Sequence, residues 1–126
     1  MSEMTKIEGA TPALGPYSAG VLFNDLVFVS GQIPTDAEGK LPEGIQAQAR
    51  QSILNVKTVL ENAGSDLQHV LKTTVFLRDM SDFAAVNEVY SEFFNGKVQP
   101  ARSCVQAAKL PKDMPLEIEA IAIRVK

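Results

Sequence analysis

The sequence predicts an α+β fold, a mixed β-sheet with two helices packed on one face. Three observations lead there. Two stretches repeat apolar residues every three or four positions, as amphipathic helices do. Strand-like stretches surround them in the order β-β-β-α-β-α-β-β. No repeat or linker divides the 126 residues, a length that suits one domain spanning 1–126.

The elements follow in order. Thr5 to Glu8 reads as a short first strand. Thr11 to Pro16 is a loop, because two prolines and a glycine exclude regular structure. Tyr17 to Phe23 and Leu26 to Ser30 are rich in β-formers, with Asn24-Asp25 as a hairpin turn between them. Ser30-Gly31 ends the second of these strands. A long loop, Gln32 to Gly44, carries two prolines and three acidic residues, and loops of that length are often functional.

Ile45 to Ala63 is the first helix, with Ile45, Ala49, Ile53, Val56 and Leu60 on one face and Gly64 as its C-terminal stop. Val70 to Arg78 is the next strand. Ser81 is expected to cap a second helix, Asp82 to Phe94, that buries Phe83, Val86, Val89 or Tyr90, and Phe93. Asn95-Gly96 stops it. A strand follows Pro100, then a turn from Pro111 to Pro115, and Leu116 to Val125 is the last strand.

Composition narrows the function. Lys plus Arg is 12, Asp plus Glu is 15, and the net charge is -3, with no basic run. That argues against a broad nucleic-acid surface, which needs clustered cations. No apolar run is long enough to span a bilayer, and the N-terminus lacks a signal-peptide pattern. A single cysteine forms no internal disulfide, so a reducing, cytoplasmic setting is expected. One histidine and one cysteine build no common zinc site, and neither metal nor cofactor is expected.

Two strands attract attention. In Gln99 to Gln106, alternation puts Arg102 and the lone Cys104 on one face. The simple interpretation is an edge strand with a solvated arginine; the other is a ligand site. In the last strand Leu116, Ile118, Ala120 and Ala122 share one face. Ile121, Ile123 and Val125 share the other with Glu117 and Glu119. Helices cover one face only, so a strand apolar on both sides implies another cover, most economically a second copy of the chain. Among apolar groups a carboxylate tends to a raised pKa and can serve as an acid or base. The competing interpretation of Glu117 and Glu119 is ion pairing, with Lys109, Lys112 or Arg124 in reach. An arginine fork that holds a carboxylate, beside a proton-handling glutamate, suits a small organic acid whose reactive carbon is easily hydrolysed.

Several motifs taken together are specific. They are Gly15-Pro16-Tyr17-Ser18, Val29 through Pro34, Asn55-Val56-Lys57, and Leu60 through Gly64. Lys72 through Leu77, Val86 through Tyr90, and Phe93-Phe94 continue them, and Pro100 through Val105 precedes Glu117-Ile118-Glu119. In this ordered set the chain resembles the RidA/YjgF family of reactive intermediate deaminases. The resemblance implies a chorismate-mutase-like α+β fold and a homotrimer with sites between subunits. It also implies hydrolysis of 2-imino acids, or of enamines that tautomerise to them, to 2-oxo acids and ammonia. Pyridoxal-phosphate-dependent dehydratases would supply these substrates. By resemblance Arg102 binds substrate and Glu117 positions water. Tyr17, Ser30, Gly31 and Cys104 line the pocket, and Asn87 lies near it. Ala49 stands where many members have threonine, which reads as helix packing. A different class, a non-catalytic trimer that senses 2-oxo acids or similar small carboxylates, uses the same arginine. A third, an RNA-cleaving protein, lacks a catalytic histidine pair. Cys104 as a nucleophile would need a base partner, and His69 lies at the start of another strand. Without the family, Tyr17 reads as a core aromatic.

Overall fold

A computed structural model describes residues 3–126. The expected element order is present. It runs β1 (Thr5–Ile7), β2 (Gly20–Phe23), β3 (Leu26–Gln32), α1 (Ile45–Asn62), β4 (Val70–Leu77), α2 (Phe83–Phe93), β5 (Ala101–Gln106) and β6 (Leu116–Ile123). The six strands form one sheet in the order β1-β2-β3-β6-β4-β5. It is mixed: β4 and β5 are parallel, as their α2 crossover requires, and every other pair is antiparallel.

Both helices lie on one face. Ile53, Val56, Val59 and Leu60 of α1, with Val86 and Val89 of α2, bury against Val27, Val75, Leu77, Leu116, Ile118 and Ala122. Ala49 is fully buried, which fits its packing role. The helices are tied together at their outer edge by Arg50 Nη2 donating to Glu92 Oε1 at 3.0 Å and Gln46 Nε2 donating to the Ala85 carbonyl at 3.1 Å. Gly64, at φ +83°, takes the left-handed position that ends α1.

The second face is bare and carries large apolar side chains, with Lys72, Thr74, Glu117 and Glu119 among them. Phe23, Leu26, Phe28 and Val105 are each about 40% exposed on it. Among the described residues no element covers it.

Five local expectations are corrected. Tyr17 and Ser18 lie in a loop, and β2 begins only at Gly20, because Gly15 and Pro16 turn the chain: Tyr17 N–H donates to the Gly15 carbonyl at 2.8 Å. Ser30-Gly31 does not end β3. The strand continues to Gln32 through a bulge opposite β6, and a glycine suits a bulge. Ser81 does not cap α2. Asp79 accepts the Ser81 N–H at 2.9 Å and opens a short 3-10 turn, Met80–Asp82, that leads into the helix. Phe83 is 37% exposed, and Phe94 fills the core in its place, 4.3 Å from the Tyr90 ring. Finally β6 ends at Ile123. The Arg124 N–H bonds the Asp25 carbonyl, and the N–H groups of Val125 and Lys126 bond the Gly64 carbonyl, which carries the chain out of the sheet.

Candidate functional site

The expected site residues fall into two groups, each built by different elements. The first surrounds a cleft of about 330 Å³ at one end of the sheet, lined by Leu14, Tyr17, Gly31, Ile33, Asn55, Lys112 and Glu117 among others. Tyr17 is half exposed at its mouth, so it is no core aromatic. Its hydroxyl accepts the Leu14 N–H at 3.2 Å, which holds the ring against its own loop. Asn55 forms the cleft's inner wall. Its amide donates to the carbonyls of Ile33 and Thr35 at 3.0 and 2.8 Å, so α1 fixes the loop that follows β3.

Glu117 projects into this cleft across Gly31. A Cβ on Gly31 would collide with the Glu117 carboxyl group, so the glutamate occupies space that only glycine leaves. Burial pushes the Glu117 carboxyl up, and the neighbouring Glu119 charge pushes it the same way. Among the described residues no cation pairs with it, so the ion-pair alternative does not hold. Ser30 lies beside the cleft and not in it. Its hydroxyl donates to the Ala19 carbonyl at 2.9 Å, and the residue borders a shallow hollow on the open sheet face.

The second group surrounds Arg102. Thr73 and Arg102 are register partners on β4 and β5, as are Val75 and Cys104. Thr73 and Val75 are fully buried, so Arg102 and Cys104 share the helix-covered face. There α2 meets the arginine. Arg102 Nη1 donates to Asn87 Oδ1 at 2.7 Å. The guanidinium carbon lies 4.7 Å from the Tyr90 ring centre and 5.5 Å from that of Phe83, within cation–π range. Among the described residues Arg102 has no carboxylate partner. It is a half-buried cation held by neutral groups, with further N–H donors open to a ligand.

Cys104 packs against the core. Burial pushes its thiol up, with Arg102 opposing less strongly. A thiol so placed is a weak nucleophile at neutral pH. His69 sits in the turn before β4 with Nδ1 2.7 Å from Asp66 Oδ1 and lines neither region. Among the described residues no cluster of His, Cys, Asp or Glu could hold a metal, and no helix is long and apolar enough to cross a membrane.

Arg102 or Cys104 was expected near Glu117 across neighbouring or subunit-related strands, and within one chain neighbouring strands do not bring them together. Glu117 pairs in register with Phe76, and Phe76 with Val105, all on the open face. Arg102 is on the opposite face, and β4 separates β5 from β6. The two residues therefore do not meet across neighbouring strands of one protomer. Phe83, Tyr90 and Thr73 were missed as neighbours of Arg102. The spacing of Phe83, Asn87 and Tyr90, four and then three residues, puts them on one helix face and was the available signal. Lys112, expected within reach of Glu117, does line its cleft, carried there by a left-handed backbone, φ 55°, though without an ion pair.

Comparisons with known proteins agree on one family. Residues 8–124 match the sequence model described as Endoribonuclease L-PSP. The chain is 52% identical to a RutC family protein of Haemophilus influenzae over 128 residues, 98% of each chain. It is 50% identical to the 2-iminobutanoate/2-iminopropanoate deaminase of Salmonella typhimurium over 127 residues, 98% of this chain and 99% of that one. Among solved structures, that of Escherichia coli TdcF with bound serine superposes with a TM-score of 0.90 at 48% identity, covering 96% of this chain and 99% of that one.

Proposed function

The chain belongs to the RidA/YjgF family, and from that premise we propose that it hydrolyses reactive 2-imino acids, and their enamine tautomers, to 2-oxo acids and ammonia. One observation carries the reading: half the residues are identical, over almost the whole of both chains, to a relative named for this reaction. Two features of the structure support it. Arg102 is a fixed, uncompensated cation suited to a carboxylate, and Glu117 is a carboxyl with a raised pKa at a cleft.

The chemistry then runs as follows. Arg102 binds the substrate carboxylate, with Asn87 holding the guanidinium. Tyr17 and Gly31 from the cleft and Cys104 from the arginine's side surround the small side chain and the reacting carbon, with Ser30 at the cleft's border. Glu117 orients a water, whose oxygen bonds to the C=N carbon while a water proton passes by way of the carboxylate to the nitrogen. The carbinolamine collapses: its hydroxyl proton passes by way of the Glu117 carboxylate to the amino nitrogen, the C–N bond breaks, ammonia leaves, and the oxygen becomes the new carbonyl. Imines hydrolyse unaided, so positioning and electrostatics suffice without a covalent intermediate or cofactor.

Arg102 and Glu117 occupy opposite faces of one sheet, so in this reading the site combines two chains. We propose a homotrimer whose bare sheet faces turn inwards and whose sites lie between subunits. The exposed Phe23, Leu26, Phe28 and Val105 support this. We place it in the cytoplasm, as one domain over 1–126, where dehydratases that depend on pyridoxal phosphate release such imines.

The test is a trapping assay. Threonine dehydratase generates 2-iminobutanoate in the presence of a trapping amine, and the protein must shorten the life of the imine. Arg102→Ala should lose about a hundredfold or more while remaining folded. Full activity in that variant would overturn the assignment.

The serine bound to TdcF favours a second reading, a small-carboxylate binder with the same arginine. A binder would hold 2-oxobutanoate without accelerating imine decay. RNA cleavage, which the family description names, has little support here: the only histidine is engaged with Asp66, away from both regions.

A further inference from the structure

We propose that Thr73 and Tyr90 are positioning residues that set carboxylate affinity by fixing the plane of Arg102. This rests on the reading of Arg102 as the carboxylate binder. The geometry is a closed circuit. Arg102 on β5 is in register with Thr73 on the adjacent strand β4. The Thr73 hydroxyl is fully buried and lies 2.7 Å from the Tyr90 hydroxyl. The guanidinium carbon lies over the Tyr90 ring, 4.7 Å from its centre, and Tyr90 is 7% exposed. One turn earlier on α2, Asn87 accepts from Nη1 at 2.7 Å. Asn87 therefore holds one edge of the guanidinium, and the Tyr90 ring supports it from below.

A merely structural Tyr90 would need only its ring. A buried phenol must also satisfy its hydroxyl, and Thr73 does this from the strand that neighbours the arginine. The hydroxyl pair locks the tilt of the ring on which the cation rests. Every member of the cradle is neutral, so the cation is oriented without being cancelled. Two-pronged binding of a planar carboxylate depends on that orientation, whereas binding through a single hydrogen bond does not.

The experiment measures binding of 2-oxobutanoate, and of its uncharged amide as a control, by calorimetry on the assembled protein. Thr73→Val keeps the shape and removes the hydroxyl. Its Kd for 2-oxobutanoate should rise about tenfold, roughly the worth of a well-placed cation–π contact. Its Kd for the amide should stay within about twofold. Thr73→Ser should restore the parent value. Tyr90→Phe should match Thr73→Val, and the double variant should be no worse than either single, because both break one hydrogen bond. Equal losses for acid and amide, or additive losses in the double variant, would overturn the proposal in favour of general loosening. So would parental affinity in Thr73→Val and Tyr90→Phe while Arg102→Ala binds no acid. If Arg102→Ala itself binds 2-oxobutanoate normally, the underlying assignment of Arg102 fails instead.

Discussion

The Glu117 cleft and the Arg102 cradle solve opposite problems. At the cleft the protein makes room: Gly31 omits a side chain so that a carboxyl can lie across the backbone. There burial and Glu119 both oppose the charged form. At the cradle the protein removes freedom. A cation is gripped by an amide, laid on an aromatic face and backed by a buried hydroxyl pair. A group that transfers protons needs a pKa near the working pH and space for water. A group that anchors substrate needs a fixed direction and a permanent charge. Among the described residues neither charge has an ion-pair partner, and the two side chains lie on opposite faces of the sheet. We read them as complementary halves that meet only between protomers.

The largest effect that can break this comparison comes from mixing subunits. Arg102→Ala and Glu117→Gln should each lose about a hundredfold or more in the trapping assay. Co-expressed in equal amounts, they should regain activity, because a site between two chains can take its arginine from one variant and its glutamate from the other. Random assembly would give about a quarter of the sites both native residues. Mixed oligomers verified by mass that stay as inactive as either variant would show that the halves do not complete one another.

A smaller effect sharpens the role of space. In Gly31→Ala the added methyl must displace the Glu117 carboxyl, the mobile end of its side chain. A misplacement of about 1 Å at a reacting group can cost about a hundredfold, so kcat should fall by roughly ten- to a hundredfold. The melting temperature should move by only a few degrees, since the three atoms nearest the new methyl all belong to the Glu117 side chain. A large loss of stability with normal kcat per folded molecule would place Gly31 in folding and not in the site.

The sequence disclosed the frame of this arrangement better than its joints. Period and turn chemistry located both helices, all six strands and the bare apolar face, because burial writes a repeating pattern into the chain. Alternation also put Arg102 with Cys104 and opposed Glu117 to Leu116, as the sheet does. What it could not give was the relation between β5 and β6, since β4 inserts between them only through long-range pairing. The bulge at Ser30-Gly31 was mistaken for a strand end because a glycine marks either. Phe83 looked like core because helix period does not say which aromatic turns toward an arginine.

The smallest expected effect isolates Glu117 from its proposed partner. Arg102→Ala removes the arginine from every subunit, so the carboxyl then feels chiefly burial and Glu119. Its pKa is raised above the ordinary 4.5, so the folded chain keeps that proton to higher pH than the unfolded chain does. The stability Glu117 contributes is therefore fully present below 4.5 and is lost as pH rises through the raised value. Adding Glu117→Gln to Arg102→Ala should raise the melting temperature at neutral pH by a few degrees at most, and the gain should vanish toward pH 4.5. In the protein with Arg102 intact the same substitution should gain less, because an arginine brought near from a neighbouring chain stabilises the ionised carboxylate. An identical gain in both backgrounds would mean that cleft and cradle never come within electrostatic reach.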